Sequence, residues 1–176
     1  MVNNHRHRES SNLSIVQDMK WDFPSFLNVN ARSLSNKTNE LEVICRDLNI
    51  DIICVTESWL TEDNDTIHFA GYHPPFRNDR QGRQGGGVLC LVNENIRVKH
   101  WENLTEDNLE TLWMTLHLPR LPRSVSNIIL GIVYHPPNAD NFKTYSHISY
   151  SLDHILQKHP DAGVIITGDF NRFKDT

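Results

Sequence analysis

Cysteine is scarce in this chain. Only Cys45, Cys54 and Cys90 occur among 176 residues. The number is odd and no CxxC pair exists, which argues against a disulfide framework and against a zinc knuckle. Two of the three lie inside apolar runs, so buried free thiols in a reducing compartment are expected. Long apolar runs are also missing. Nothing approaches the roughly 18 consecutive apolar residues that span a bilayer, and the N-terminal MVNNHRHRESSN has no apolar stretch of the signal-peptide kind. Net positive charge is absent too: the formal charge is -5. A general attraction to nucleic acid or anionic membrane is thereby excluded, and a nucleic-acid substrate would need local basic groups or a metal. No GxGxxG, no GK[ST] after a glycine, no GxSxG and no HExxH occurs. Dinucleotide, Walker-type, serine-hydrolase and zincin chemistries drop out. The triplet Gly85-Gly86-Gly87 fails the dinucleotide pattern because Cys90 stands where the third glycine belongs.

What is present fits one domain. The chain is 38% hydrophobic, enough to bury a core, and 22% charged, too little for a disordered polyelectrolyte. Residues 1–20 read as a polar, poorly packed leader, in which His5 and His7 alternate with Arg6 and Arg8. Residues 21–176 read as the structured part. Phe26 to Asn30 has the period of a strand, with Phe26, Asn28 and Asn30 on one face and Leu27 and Val29 on the other. Leu41, Ile44, Cys45 and Leu48 follow at helical spacing. Ile52 to Thr56 is a continuous run suited to a strand covered on both faces. Further strands are expected at Val88–Val92, Leu112–Leu118, Ile128–Tyr134 and Val164–Asp169. A second helix carries Phe142, Tyr145, Ser149, Leu152, Ile155 and Leu156 on one stripe and runs to about His159. Two helices against about six strands point to an α/β arrangement with antiparallel pairing in the middle: a mixed sheet, or a pair of sheets with outer helices.

Small polar and acidic residues recur where these strands end. Asn28 and Asn30 close the first, Glu57 the second, Tyr134 a later one with Asn138 just beyond, and Asp169 with Asn171 the last. Strand ends are rigid supports for chemistry. A carboxylate after Ile-Ile-Cys-Val-Thr is costly to desolvate without a partner. Asp169, after Val-Ile-Ile-Thr-Gly, raises the same question. Two carboxylates with amide neighbours make an all-oxygen site that suits Mg²⁺. Taken singly, each is read more simply as a solvated loop or turn residue. Together, in this order, they specify a site. Arg77, Arg80 and Arg83, beside Tyr72 and Phe76, could track a nucleic-acid backbone or decorate a solvated hairpin tip; both readings stand. His73-Pro74-Pro75 and His135-Pro136-Pro137 read as stiff backbone segments, a phosphate contact by His135 being the alternative.

The segments 27–34 (LNVNARSL), 55–60 (VTESWL), 76–80 (FRNDR) with 85–88 (GGGV), 133–138 (VYHPPN) and 168–171 (GDFN) together resemble the endonuclease/exonuclease/phosphatase superfamily. Within it they are most similar to the apurinic-type endonuclease domain of LINE-type, jockey-like non-LTR retrotransposons. The resemblance covers about residues 23–172. It implies a four-layered α/β sandwich of the deoxyribonuclease I-like type and Mg²⁺-dependent phosphodiester hydrolysis that nicks DNA, with Mn²⁺ as an alternative ion. It places Glu57 as principal metal ligand with Asn28 beside it. Asn30 stands where some relatives are acidic. Tyr134 and Asn138 are placed on phosphate, Asp169 on the attacking water and Asn171 on the transition state, with Arg77 and Arg80 toward substrate. Relatives continue past Gly-Asp-Phe-Asn to an Asp-His-type motif, which has no counterpart before Thr176. The expectation is therefore the front portion of such a domain, incomplete at its C-terminus and weakly active or inactive alone. The missing C-terminal part or a reverse transcriptase domain would accompany it in a full-length relative. The cysteine usage points to an intracellular location, nuclear if the domain is functional, and the lack of a long apolar run to no membrane partner. Two further readings are a non-catalytic remnant or binding module, and a relative acting on RNA or small phosphodiesters.

Overall fold

The computed structural model describes residues 23–61, 67–106 and 108–171. The leader, with His5 and His7, lies outside them. Eight strands and two α-helices follow in the order β1 (Phe26–Asn30), α1 (Thr38–Asp47), β2 (Ile52–Thr56), β3 (Phe76–Asn78), β4 (Val88–Val92), β5 (Arg97–His100), β6 (Glu110–His117), β7 (Ile128–Tyr134), α2 (Asn141–Leu156) and β8 (Gly163–Asp169), with one 3₁₀ turn at Glu102–Leu104. They form two four-stranded sheets, β1-β2-β4-β3 and β5-β6-β7-β8. Pairing is parallel where a helix intervenes, β1 with β2 and β7 with β8, and antiparallel elsewhere. Crossover helices permit parallel neighbours, while short links impose antiparallel ones.

Three apolar layers join these elements. Ile52, Cys54, Val88 and Cys90 of the first sheet meet Leu112, Met114, Leu130 and Ile132 of the second. The opposite face of the first sheet, with Ile53, Val55, Leu89 and Leu91, packs on Leu41 and Cys45 of α1. The outer face of the second, with Trp113 and Ile129, packs on Ile148, Leu152 and Ile155 of α2. The result is a helix–sheet–sheet–helix sandwich, as the resemblance implies. β2 serves two of the layers at once, which is why its five residues are all buried. Each fully buried aliphatic side chain contributes roughly 1.5–3 kcal/mol. All three cysteines are buried free thiols, as expected.

The helical stripes need correcting. α1 buries Leu41 and Cys45, but Ile44 is 39% exposed and Leu48, the C-cap, 63%. On α2 the inward face is Thr144, His147, Ser151 and Ile155 rather than the Phe142–Tyr145–Ser149 line; Phe142 is 80% exposed. The inward polar groups bond to one another and to the sheet: His147 Nε2 with Thr111 Oγ1 at 3.0 Å, and Thr144 Oγ1 with His135 Nδ1 at 3.1 Å. Buried hydrogen-bonded polar side chains replaced the apolar ones that a periodicity reading looks for. α2 also ends at Leu156, three residues short of His159. Strands β3 and β5, of three and four residues, were absent from the sequence reading, and β6 begins at Glu110 rather than Leu112.

Candidate active site

Because β1 and β2 run in parallel, their C-terminal ends bring Asn30 and Glu57 to one end of the first sheet. Because β7 and β8 also run in parallel, Tyr134 lies in register with Asp169 at the same end of the second. β6 starts there, with Glu110 opposite Tyr134. The two sheet ends meet through Asn30. Its Nδ2 donates to Glu57 Oε1 and to Asp169 Oδ2, each at 2.7 Å, across 27 and 139 residues of chain. Asn28 Nδ2 donates to the Gly168 carbonyl at 3.2 Å. Asp169 Oδ1 accepts from the Asn171 backbone N–H at 3.1 Å. Glu57 Oε2 accepts from Trp59 Nε1 at 3.3 Å, and the Tyr134 hydroxyl also donates to the Glu57 carboxylate. Burial, then the Glu57 charge and this hydrogen bond, push the Tyr134 phenol up to about 12. It is a neutral donor at physiological pH.

The backbone around Glu57 is unusual. Glu57 and Trp59 both have positive φ, 51° and 57°, a conformation that costs non-glycine residues on the order of 1–3 kcal/mol. Flanking loops hold it in place. Ser33 N donates to Glu57 O, and Trp59 N to Gly86 O, each at 2.9 Å. The glycine triplet is needed for that close approach, since a Cβ on Gly86, itself at φ +72°, would collide with the Arg80 guanidinium and the Glu110 carboxylate.

Glu110 is the functional residue that the sequence reading passed over. Its Oε1 pairs with Arg80 Nε at 2.6 Å and its Oε2 accepts from Gly87 N at 2.6 Å. Arg80 in turn lies over the Tyr134 ring, 5.6 Å from the centroid. A chain of contacts therefore runs from the glycine loop through Glu110 and Arg80 to Tyr134 and Glu57. The signal was available: a carboxylate opens an otherwise apolar strand, the same oddity that drew attention to Glu57.

The other candidates are placed as follows. Arg80 is committed to Glu110. Arg77 pairs with Asp79 at 2.5 Å and reaches the Thr61 carbonyl at 3.2 Å. Both line a cleft of about 520 Å³, shared with Asp79, Arg83 and Glu110, which Arg80 links to Tyr134. Asn171 Nδ2 donates to the His135 carbonyl at 2.9 Å. Asn138 is exposed in the turn after β7. The His135 ring is buried between Thr144 and Asn141, which supports the backbone-shaping reading of that segment.

Two carboxylates and three asparagines thus converge, and among the described residues no ion pair engages Glu57 or Asp169. The described residues offer no group of three or more histidine, cysteine, aspartate or glutamate side chains that would cage a metal. Among them, too, no helix is long and apolar enough to cross a membrane.

Comparison with known proteins agrees with this architecture. Among solved structures, the chain is similar to the endonuclease domain of TRAS1, a telomere-specific non-LTR retrotransposon, at 18% identity and TM-score 0.64, covering 86% of this chain and 61% of that one. It is similar to TDP2 from Caenorhabditis elegans at 16% identity and TM-score 0.57, covering 85% and 48%. A 3′ phosphatase, NExo from Neisseria, bound to a product DNA hairpin, matches at 15% identity and TM-score 0.54, covering 85% and 58%. The chain thus spans less than two thirds of each of these relatives. No curated protein matches the sequence. The model of the Endonuclease/Exonuclease/phosphatase family matches residues 25–175. That match takes in every strand and helix described above, and the chain belongs to the endonuclease/exonuclease/phosphatase family.

Proposed function

We propose that the Glu57–Asn30–Asp169 cluster is a metal-assisted phosphodiesterase site that nicks DNA, of the retrotransposon endonuclease type. The observation that carries this reading is the bridge from Asn30 Nδ2 to both carboxylates, which draws two uncompensated anionic groups from separate sheets to one point. The likeness to the TRAS1 domain supports the retrotransposon branch.

The donor set fits Mg²⁺. Every candidate ligand atom is oxygen, and one or two carboxylates completed by waters and substrate phosphate is what this ion favours. Glu57 and Asn28 would hold it, and Mn²⁺ would occupy the same donors. When bound, such an ion polarises the phosphoryl oxygen and steadies the leaving group. The protein's own groups do the rest. Asp169, with Oδ2 fixed by Asn30 and Oδ1 by the Asn171 amide, is held to accept a proton from water. Tyr134, kept protonated, has a single O–H to give, which in the substrate complex would turn from Glu57 to a phosphate oxygen. Asn138 and the second N–H of Asn171 are further donors for the phosphate, whereas both N–H groups of Asn30 are engaged in positioning the two carboxylates. In the adjoining cleft Arg77 and Arg80 are paired with Asp79 and Glu110, so Arg83 supplies the net positive charge that a chain of net charge -5 needs locally.

The test is conversion of supercoiled plasmid to open circle. Nicking should require Mg²⁺ or Mn²⁺, stop on chelation, and fall by orders of magnitude in Glu57→Gln or Asp169→Asn. Equal nicking by both variants would overturn the assignment. Parallel incubation with RNA of matched sequence tests the choice of DNA: faster cleavage of RNA would move the substrate class.

A further inference from the structure

Far from the carboxylate cluster, the second sheet carries a group of cations that the reaction does not use. Seven residues of β8 separate the two ends, roughly 20 Å at strand rise. Arg97 and Lys99 of β5 are both exposed, and the alternating pattern of that strand puts them on the outer face while Val98 turns into the core. His117 of β6 is in register with Arg97. The end of α2 comes alongside. Lys158 Nζ lies 5.0 Å from the centroid of the Trp101 ring and Lys99 Nζ 4.0 Å from it, so two ammonium groups from different elements share one buried indole. His154 and His159 meet the same ring edge-on, at 6.0 Å each, and Lys158 Nζ is 3.3 Å from His154 Nε2.

None of this positive charge is neutralised by a carboxylate. Among the described residues, Arg97, Lys99 and Lys158 enter no ion pair, whereas Arg46, Arg77, Arg80 and Lys143 each have an acidic partner. The acidic residues nearest along the chain, Glu94 and Glu102 for Arg97 and Lys99 and Asp153 and Asp161 for Lys158, are exposed, and none is ion-paired to these three cations, Glu102 turning instead to His100. The C-terminal end of α2 favours the Lys158 charge, but that does not account for Arg97 and Lys99, which come from a strand. In a chain of net charge -5, bringing uncompensated cations together is unfavourable unless an anion completes the set.

We infer that Arg97, Lys99, Lys158 and the imidazoles of His117 and His159 form a second nucleic-acid surface, one that holds the phosphate backbone of a duplex segment other than the one entering the carboxylate cluster. The inference extends the DNA-nicking reading without depending on catalysis. Cations dominate the patch, with the exposed Tyr150 stacked on His154 at its margin; that composition favours backbone contact over reading bases, so binding should be independent of sequence. A membrane surface is the poorer match, because the exposed Tyr150 beside these groups is stacked on His154 rather than free to insert. The histidines add a signature. His117 is held below its ordinary value by burial and by the neighbouring Arg97, His159 and Lys99 charges. A phosphate among those cations reverses the balance, and the imidazole takes up a proton on binding.

The experiment is an NMR titration of the full chain, in chelator, with a short duplex at low salt, following the imidazole signals of His117 and His159. These signals should shift with duplex, the His117 titration should move to higher pH, and the affinity should fall steeply with salt. Arg97→Gln combined with Lys99→Gln should weaken the response about tenfold or more, with an unchanged far-UV spectrum showing that the fold is kept. Asp169→Asn should leave it intact, which separates this surface from the nuclease reading. Shifts confined to Tyr134 and Asn30 would overturn the inference, as would an equal response from the double variant. A stronger response to anionic vesicles or to polyglutamate at matched charge would also overturn it, by assigning the patch to a membrane or a protein partner.

Discussion

Tyr134 shows at the scale of one residue how the site is tuned. Its hydroxyl is shielded by the sandwich and faces the Glu57 carboxylate, while Arg80 over its ring pulls the other way. The folded state therefore resists forming the phenolate. Since its folded value, about 12, lies above the ordinary 10.0, the associated stability is fully present below pH 10. It is lost as pH rises through the folded value. Phenolate absorbance followed against pH should show two raised tyrosines, Tyr72, lifted by burial, and Tyr134, at about 12. In Glu57→Gln, Tyr134 should titrate lower but short of the ordinary value, because burial is the larger cause. A tyrosine titration unchanged by the variant would break the Tyr134–Glu57 link. Gly168 is another residue whose identity is imposed. Its φ of +135° belongs to glycine, and a Cβ there would strike the Val133 backbone, so Gly168→Ala should displace the Asp169 that follows it.

Elements, rather than single residues, decided how much could be seen in advance. The strands β1, β2, β4, β7 and β8 were legible because continuous or alternating apolar runs end in conspicuous polar residues. The site residues at those ends were legible for the same reason. β3 and β5 were not, since three or four residues are too few to display a period, and their pairing comes from β4 and β6. The buried face of α2 was misread because its polar residues are satisfied inside the protein, His147 by Ser151 and Thr111 and Thr144 by His135 and the Asp140 carbonyl, and a polar residue in a stripe carries no sign of where its hydrogen bonds go. Glu110 escaped for a related reason. Its partner Arg80 is 30 residues away and belongs to a loop whose course only the glycine triplet permits. That loop–strand link gives an element-scale prediction. The Arg80 and Glu110 side chains are 13% and 7% exposed. Glu110→Ala strands a buried guanidinium and should cost about 3–5 kcal/mol in chemical denaturation. Asp47→Ala, which removes an exposed partner of Arg46, should cost under about 1 kcal/mol. Equal losses for the two would mean that Glu110 does not anchor the loop.

For the molecule as a whole, the carboxylate cluster is a local concentration of repulsion that the proposed divalent ion would relieve. Binding to the native state alone raises the melting temperature by mass action, about 2.7 kcal/mol of added stability at a hundredfold excess over Kd. Mg²⁺ should therefore raise the thermal midpoint of the full chain, and Glu57→Gln should remove most of that rise. Calorimetry with matched ionic strength from NaCl separates this from simple screening; equal rises in the two salts would argue against a specific ion site. The two parallel strand pairs have one more consequence. Asn28 reaches Gly168 across 140 residues, and Asn30 reaches Asp169 across 139. A polypeptide still growing on the ribosome has Glu57 and Asn30 in place early, yet it lacks the opposing carboxylate until β8 has left the exit tunnel, roughly ten seconds later at ordinary synthesis rates. The topology thus acts as a clock, keeping the half-made chain unarmed until its last described strand is delivered.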